Sequence, residues 1–374
     1  MTSSPKLDRN LPVLDGMRAV SILLVLFSHA GLQHIVPGGL GVVIFFVISG
    51  FLITRLMLEE MQLTGDLSIR LFYIRRILRL MPTVVLFMAV AIPALLLLNV
   101  TVTAAQVASV LFYVTNYYHI YIEYPSYNPF PIFWSLAVEE HFYIIFPFLI
   151  WVLRKHLGVL AGLLIALAGI ILAWRFHLNA LCLHGPAPWA VCGVTPQLDM
   201  RIYHGTDSIA DCILFGVLLS LALHLRGTFV RKYFVNNVAF YLGGAGLLFT
   251  LVWRDPDFRE TVRYTLQAAS IAVILLNLVY GRQAFFQRIL QHRLLLTIGQ
   301  WSYALYMFHY LVLVLIERTQ GHAQGLEGPL DVAIYFAGSF ALAGAAHIFL
   351  EKPLQKVRRR FHPHAIVLRN PKEL

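Results

Sequence analysis

The chain has 374 residues, of which 59% are hydrophobic and only 13% are charged. Soluble domains are about 45–50% apolar and about 25% charged. This composition, with a mean hydropathy of +0.71, excludes a soluble globular enzyme, a disordered chain and a nucleic-acid-binding domain. The net charge of +10 has another explanation, because the basic residues lie between long apolar runs, as in multi-span membrane proteins.

Ten apolar segments are long enough to cross a bilayer, since a spanning helix needs about 20 residues. They cover residues 14–35, 39–59, 80–99, 134–153, 158–175, 206–225, 233–253, 264–280, 297–316 and 331–350. Helices are expected because open sheet edges cannot be satisfied in lipid. The sequence therefore predicts an all-α integral membrane protein, a bundle of about ten transmembrane helices that forms one domain over residues 1–374.

The basic residues of the connecting segments predict the orientation of this bundle. Of the 29 Lys and Arg residues, 21 fall in segments on the side of the N-terminus and six in segments on the other side. The positive-inside rule places the richer side in the cytoplasm, and an even number of spans places both termini there. The basic tail, residues 352–374, is expected to lie along the anionic inner leaflet. Cys182 and Cys192 share one predicted outside loop, where a disulfide and two free thiols are both compatible with the sequence.

Ionisable side chains within the first predicted span mark a candidate functional site, because burying charge in lipid is costly. Arg18 and His29 are eleven residues apart, which is within about 20° of three full helical turns. They therefore share one helix face about 16 Å apart along the axis. With Arg18 near the cytoplasmic end, this spacing suits an anion-binding mouth with proton chemistry deeper in the bundle. The alternative is a snorkelling arginine and a structural histidine.

An arginine cluster lies at the cytoplasmic start of the third predicted span. Arg75 and Arg79 are four residues apart and share a helix face, with Arg76 between them. Planar guanidinium groups bind phosphates well, while the alternative is a purely topological role. In the second span, Ser49 is either a hydrogen-bond donor or bonds back to its own helix.

Other predicted spans also contain polar side chains. These are Trp134, Ser135, Glu139 and Glu140 in the fourth span, Asp207 and Asp211 on one face of the sixth, and Ser302, Tyr303, Tyr306 and His309 in the ninth. A polar interior in so apolar a chain indicates catalysis or transport rather than an inert scaffold. No spacing of His, Cys and carboxylate side chains indicates a metal site.

Taken together, these motifs resemble acyltransferase family 3. The matching residues are Asp15-Gly16-x-Arg18 with His29, Phe45-Phe46-x-x-Ser49-Gly50-Phe51, Arg75-Arg76-x-x-Arg79, Trp134-Ser135-Leu136-x-x-Glu139-x-x-Phe142-Tyr143, Asp207 and Asp211 before Leu214-Phe215-Gly216, Ser302-Tyr303 to His309, and Glu351 with Pro353. The resemblance covers about residues 11–357. Many members carry a C-terminal SGNH-type esterase domain, and this chain is expected to be similar to the stand-alone members without one.

The resemblance implies a multi-pass O-acyltransferase of the bacterial inner membrane. An acyl group, usually acetyl, would pass from cytoplasmic acyl-CoA to a hydroxyl of a glycan or glycolipid, such as an O-antigen or exopolysaccharide unit. Acetyl-CoA would be a donor substrate, with no tightly bound cofactor. Its phosphates would meet the guanidinium groups of four arginines, namely Arg18, Arg75, Arg76 and Arg79. No nucleic-acid partner is expected, and an oligomer is compatible with the pattern.

The chemistry of the side chains suggests roles for the remaining candidates. His29 would be the general base that takes the acceptor proton, or it would itself be acylated. Glu139 would orient the imidazole or stabilise its charged form, and Ser49, Tyr303 or a backbone N–H would stabilise the oxyanion. His309 is a further catalytic candidate. The substrate-binding candidates are Trp134, Asp207 and Asp211.

A transporter of a lipid-linked sugar or another small molecule is the alternative function. In that protein the buried acids and histidines would relay protons. Consumption of acyl-CoA distinguishes the enzyme from such a transporter.

Overall fold

The computed structural model describes residues 11–122, 127–184, 198–321 and 325–361, and these residues form helices without any strand. The long helices are α1 (Pro12–Phe27), α2 (Gly38–Thr64), α3 (Ile69–Leu97), α6 (Trp134–Val152), α7 (Leu157–His184), α10 (Asp211–Phe234), α11 (Asn237–Val252), α13 (Val262–Tyr280), α15 (Arg293–Gln320) and α16 (Pro329–Ala346). The short helices are α4 (Ala104–Leu111), α5 (Thr115–Tyr121), α8 (Leu198–His204), α9 (Thr206–Ile209), α12 (Pro256–Glu260), α14 (Ala284–Leu290) and α17 (Lys352–Arg359). Single π-helical turns follow α1 (Ser28–Leu32) and α16 (His347–Glu351), and a 3₁₀ turn (Phe130–Phe133) precedes α6.

The predicted all-α membrane fold is confirmed. Nine helical segments of the described chain are long and apolar enough to cross a membrane, and α11 is a tenth apolar helix of 16 residues. At 1.5 Å per residue α11 is about 24 Å long, shorter than a hydrocarbon core of about 30 Å. The third span begins at Ile69 rather than at residue 80, because the arginine-rich segment before it is also helical.

Local sequence signals set several helix ends. Pro12 occupies the first turn of α1, where its missing N–H costs nothing. The side chain of Ser68 accepts a hydrogen bond from the backbone N–H of Leu71 and caps α3. α2 ends at Gly65, whose φ of 79° is left-handed and favours glycine.

The centre of the bundle is formed by α1, α2 and α15. α1 packs against both α2 and α15, α2 packs against α10, and α15 packs against α16. The helices α2 and α15 are mostly buried within the protein, whereas α7 turns most of its apolar surface outward. Outward apolar surface is expected where a helix faces lipid rather than water.

Two glycines allow α2 and α10 to approach closely. A Cβ atom on Gly50 would collide with the carbonyl oxygen of Ile213, and a Cβ atom on Gly216 would collide with the carbonyl oxygen of Val47. Small residues at a helix contact let the backbones meet in a membrane, where packing replaces the hydrophobic effect. These two positions therefore fix how α2 and α10 lie beside each other.

Both ends of the described chain lie on the same face of the bundle. Leu11 and Arg358 line one cavity, so α1 begins on the face where α17 lies. We call this face the α1-start face and the other one the opposite face. The cytoplasmic location of the α1-start face stays a prediction, and so does the membrane contact of the tail beyond residue 361. The side chains of Cys182 and Cys192 lie outside the described residues.

Candidate active site

Two connected cavities enter the bundle from the α1-start face. The entrance cavity has a volume of about 840 Å³ and is lined by Arg18, Arg79, Trp301, Glu351 and Arg358, among others. The inner cavity, about 80 Å³, lies among α1, α2, α3, α6 and α15 and is lined by Arg18, Arg76, Arg79, Ser49, Glu139, Tyr143, Ser135, Tyr303 and Tyr306 with apolar neighbours. Arg18, Arg79 and Tyr303 line both cavities, so the two cavities adjoin at these side chains.

Positive charge is concentrated where the two cavities meet. The guanidinium group of Arg79 lies in the fields of Arg18, Arg76 and Arg358. Arg18 pairs with Asp15 at 3.2 Å. Arg79 forms no hydrogen bond or ion pair with the part of the chain that the structure describes. Such a cluster favours an anionic ligand, because neighbouring like charges repel until a counter-charge arrives.

Of the three predicted phosphate-binding arginines on α3, the structure brings Arg76 and Arg79 to the inner cavity. Arg75 points elsewhere: its guanidinium group binds Glu60 Oε2 at 2.6 Å and the carbonyl oxygen of Phe361 at 3.1 Å. Glu60 is buried, so this ion pair joins α2 to α3. Arg75 is not among the residues that line the inner or the entrance cavity, because it neutralises a buried carboxylate, and a ligand-binding role for it stays a prediction.

Glu139 and Ser49 meet at Tyr143 rather than at His29. The Tyr143 hydroxyl donates to Glu139 Oε2 at 3.3 Å and also contacts Ser49 Oγ. Either hydroxyl can be the donor in the contact between Ser49 and Tyr143. The structure thus places Glu139 and Ser49 on Tyr143, and the role of Glu139 as the partner of the His29 ring stays a prediction.

Arg76 covers the same group from α3. Its guanidinium carbon lies 3.4 Å from the centroid of the Tyr143 ring, and its Nε lies 3.9 Å from Glu140. An arginine stacked on a tyrosine face gains cation–π attraction without using its N–H donors. Arg76 Nε has no hydrogen-bond partner in the described chain, so this guanidinium keeps a donor for a ligand.

The two tyrosines of α15 are anchored by backbone carbonyls. Tyr303 donates its hydroxyl proton to the carbonyl oxygen of Leu80 at 3.3 Å. Tyr306 donates to the carbonyl oxygen of Ile132 at 3.1 Å and accepts from Ser135 at 2.6 Å. Tyr303 lines both cavities as expected of a site residue, but its proton is engaged in this arrangement.

His29 lies in the π-helical turn after α1, a rare element that often occurs at functional sites. Gly31 lies within this turn and has a non-helical φ of 97°. Nδ1 of His29 lies 3.0 Å from the carbonyl oxygen of Val25. A carbonyl only accepts, so Nδ1 carries the proton and Nε2 of the neutral ring keeps its lone pair. This is the form required of a general base.

His309 stands between His29 and the inner cavity. The two imidazole centroids are 5.1 Å apart, and the His309 centroid is 5.8 Å from that of Tyr306, which lines the cavity. His309 is fully buried, and its Nδ1 donates to the carbonyl oxygen of Leu305 at 2.9 Å. Its Nε2 has no hydrogen-bond partner among the described residues.

Trp134 separates the inner cavity from a third cavity, which opens on the opposite face and has a volume of about 360 Å³. The Trp134 ring packs at 4.4 Å on His204 and 4.5 Å on Tyr203, which line this opposite-face cavity. On its other side it meets Phe46 at 6.2 Å, and Phe46 lines the inner cavity. Trp134 therefore lies between residues that line the inner cavity and residues that line the opposite-face cavity.

Asp207 accepts hydrogen bonds from three side chains. Arg201 donates two, of which the shorter is 2.6 Å, and Trp174 and Tyr117 donate at 2.6 and 2.9 Å. Burial by itself would raise the pKa of Asp207, but the hydrogen bonds and charge of Arg201 outweigh it and the pKa lies below its ordinary value. The structure thus shows Asp207 linking α5, α7 and α8.

Asp211 forms a buried ion pair with Arg175 of α7. The two guanidinium nitrogens donate to its oxygens at 3.0 and 2.7 Å, and Thr265 donates at 2.6 Å. Both charged side chains are 0% exposed. Arg175 is the last residue of the fifth predicted span, and the sequence gives no indication of this pair, because residues 36 positions apart carry no local signal.

Comparison with known proteins identifies the family to which this chain belongs. Residues 11–348 match the family model for the acyltransferase domain of acyltransferase family 3. The relatives include the protein named Putative O-acetyltransferase SACOL0978 of Staphylococcus aureus strain COL, 29% identical over 93% of this chain and 58% of its own length. O-acetyltransferase OatA of Staphylococcus aureus strain NCTC 8325 is 27% identical, with the same shares of each chain. This chain thus spans less than two thirds of these relatives.

No solved structure matches this chain. The family assignment therefore rests on the sequence match, which extends over α1 to α16 and includes the arginines and His29. The cavities described above lie among these helices. The chain is a member of acyltransferase family 3.

Proposed function

We propose that this protein is a membrane O-acyltransferase. It takes an acyl group, expected to be acetyl, from acyl-CoA on the cytoplasmic side and transfers it to a hydroxyl of a glycan or glycolipid. The observation that carries the proposal is the arginine cluster at the junction of the entrance and inner cavities, where Arg79 forms no hydrogen bond or ion pair with the described residues. The family membership and the names of the relatives support acyl transfer to oxygen.

The entrance cavity suits the donor. Coenzyme A bears several phosphates, and guanidinium groups bind phosphate through charge-assisted hydrogen bonds. Arg18 and Arg79 of the entrance would hold these phosphates while the thioester extends into the inner cavity. The excess of basic residues on the α1-start face supports a cytoplasmic location for this opening.

His29 is the proposed base. Its Nε2 lone pair takes the proton of the acceptor hydroxyl while the hydroxyl oxygen forms a bond to the thioester carbon. The C–S bond then breaks, and the coenzyme A thiolate leaves with its electron pair and receives the proton. A second route has the same balance: Nε2 attacks the thioester first, the thiolate leaves, and the acceptor hydroxyl then takes the acyl group from the imidazole.

Arg76 and Arg79 are the proposed stabilisers of the developing oxyanion. Tyr303 and Tyr306 already donate their hydroxyl protons to backbone carbonyls. The guanidinium groups of Arg76 and Arg79, which line the inner cavity beside Arg18, retain donors, and charge at a developing oxyanion is worth most in a site with little water.

The test is transfer of labelled acetyl groups from acetyl-CoA in membranes that contain the wild-type protein or His29→Ala. His156→Ala is the matched control, since His156 is exposed in the loop between α6 and α7. We expect labelled glycan or lipid with wild type and the control, and a loss of about 10²–10⁴-fold for His29→Ala. Saccharide flux without coenzyme A release would instead establish a transporter. No turnover with a panel of acyl-CoA donors would contradict the proposal.

A further inference from the structure

The opposite-face cavity contains an excess of positive charge. Arg254, Arg259 and Arg263 line it with a single carboxylate, Glu260. Arg254 is exposed, and Arg259 and Arg263 are half-buried. A concave surface lined by one sign of charge attracts ligands of the other sign. Three arginines in a segment of ten residues on the side poorer in basic residues are not explained by the positive-inside rule.

Arg263 is held in place while part of its guanidinium group remains available. Its carbon lies 4.6 Å from the centroid of the Tyr264 ring, and one nitrogen donates to the Tyr264 hydroxyl at 2.7 Å. Its Nε is buried without a hydrogen-bond partner in the described chain. A buried donor without a partner costs free energy unless a ligand or water satisfies it.

Aromatic rings also line this cavity and extend from it toward the inner cavity. Trp253 is 52% exposed at its rim. Tyr264 stacks on Tyr203 with centroids 5.6 Å apart, and Tyr203 packs on Trp134 at 4.5 Å, beside the inner cavity. Flat amphipathic rings next to arginines suit a ligand with both an apolar ring face and polar substituents, such as a sugar.

The cavity also extends to Ser28, the residue before His29. A ligand with its charged group at the arginines and its ring along Tyr203 would therefore point toward the proposed base. Neither the entrance cavity nor the inner cavity offers this arrangement from the opposite face, as far as the described residues show.

We infer that the opposite-face cavity binds the acceptor, and that the acceptor is an anionic saccharide. Its phosphate or carboxylate would lie against Arg254, Arg259 and Arg263, and its ring against Tyr203 and Trp253. The role of this saccharide as the acyl acceptor rests on the proposed function, whereas its binding to the cavity does not.

The test measures binding to the purified full chain in a neutral detergent at low salt. Calorimetry measures the binding of four probes, which are glucose 1-phosphate, glucuronate, glucose and inorganic phosphate. The variant is Arg254→Gln with Arg259→Gln. The matched control is Arg282→Gln with Arg288→Gln, because both of these arginines are exposed near the α1-start face. Binding of coenzyme A to every variant reports separately on the entrance cavity.

We expect a charged saccharide to bind at least about tenfold more tightly than glucose, and the cavity variant to lose about tenfold in affinity while the control does not. Preference for glucose 1-phosphate would indicate a phosphate-linked sugar, and preference for glucuronate an acidic sugar. Inorganic phosphate binding as tightly as glucose 1-phosphate would overturn the saccharide assignment. Equal affinity of the wild type and the cavity variant for charged saccharides would overturn the site.

The two proposals fail in different ways. If arginine-dependent saccharide binding is found but no acyl-CoA is consumed, the cavity assignment stands and the acyltransferase proposal fails. If acyl-CoA is consumed and transfer is unaffected by the cavity variant at limiting acceptor concentration, the acyltransferase proposal stands and the acceptor assignment fails.

Discussion

The imidazole rings of His29 and His309 lie with their centroids 5.1 Å apart across the contact between α1 and α15. Each ring donates its Nδ1 proton to the carbonyl oxygen of the residue four positions earlier in the chain. Both Nε2 atoms therefore keep their lone pairs in the neutral rings. Two such nitrogens lie between the inner cavity, reached through Tyr306, and the opposite-face cavity, reached at Ser28.

The first prediction concerns this histidine pair as a unit. His29→Gln should reduce acyl transfer about 10²–10⁴-fold because the base is lost, and His309→Gln should reduce it less, about tenfold. The double variant should be no slower than His29→Gln, because residues that act together are non-additive. Transfer rates from labelled acetyl-CoA measure all three. A double variant that shows the product of the two single losses would mean that the two rings act independently.

The second prediction separates two arginines of α3. Arg79→Gln should raise the KM for acyl-CoA about tenfold or more with little change in thermal stability, because Arg79 forms no hydrogen bond or ion pair in the described chain. Arg75→Gln should do the reverse, since it leaves the buried Glu60 carboxylate without its partner and costs about 1–3 kcal/mol. Kinetics and thermal melting of both variants in one detergent provide the comparison. An increased KM for Arg75→Gln with unchanged stability would restore Arg75 as a ligand-binding residue.

The third prediction concerns the buried pair of Asp211 and Arg175. Asp211→Asn should lower the free energy of unfolding by about 3–5 kcal/mol, because a charge is left buried without its partner. Replacing both residues, Asp211→Leu with Arg175→Met, should recover much of that loss. Chemical unfolding in detergent measures this. A stable Asp211→Asn protein that fails to bind acceptor would instead favour the sequence-based prediction of a substrate-binding role.

The fourth prediction is the dependence of stability on pH. Burial lowers the pKa of His119 to about 4 and that of His204 to about 3, below the ordinary value of 6.5. In the unfolded chain both rings bind protons as the pH falls through 6.5, while the folded rings stay neutral. The free energy of unfolding therefore has its full value above this pH. It falls progressively toward about pH 4, by up to about 1.4 kcal/mol per pH unit for each ring.

A single substitution tests the assignment to these two rings. His119→Phe should make the fall in melting temperature between about pH 7.5 and about pH 5 shallower, because the unfolded state then gains one proton fewer. His156→Phe should leave the slope unchanged, since His156 is exposed. Equal slopes for wild type and His119→Phe would assign the pH dependence to other groups.

Membrane insertion, helix content and the order of the site motifs are properties of the local sequence. Hydropathy over about 20 residues is enough to predict a spanning helix, and nine of the predicted spans correspond to long apolar helices, with α11 as a shorter tenth. The predicted helix face shared by Arg18 and His29 assumes one continuous α-helix, whereas α1 ends at Phe27 and His29 lies in the π-helical turn that follows. Arg18 lines the entrance and inner cavities, and His29 is not among the residues that line them.

Side-chain partners could not be predicted in this way, because they depend on the rotation and packing of helices that are distant in sequence. The spacing of Arg75, Arg76 and Arg79 gives no indication that Glu60 occupies the first of them and that Tyr143 stacks on the second. Likewise, Asp207 and Asp211 appear as free acids in the sequence, although Arg201 and Arg175 neutralise them. A buried charge takes whichever counter-charge the fold brings within reach.

The sequence by itself determined that this protein is a helical membrane protein with the acyltransferase motifs. The length of apolar segments and the order of residues can be recognised without knowledge of any tertiary contact. Only the tertiary structure decided which arginines remain open to a ligand and that His29 neighbours His309. It also brought Arg254, Arg259 and Arg263 together with Tyr203 around one cavity. The physical reason is the same in each case: cavities and ion pairs are formed between helices, where several separate segments must meet.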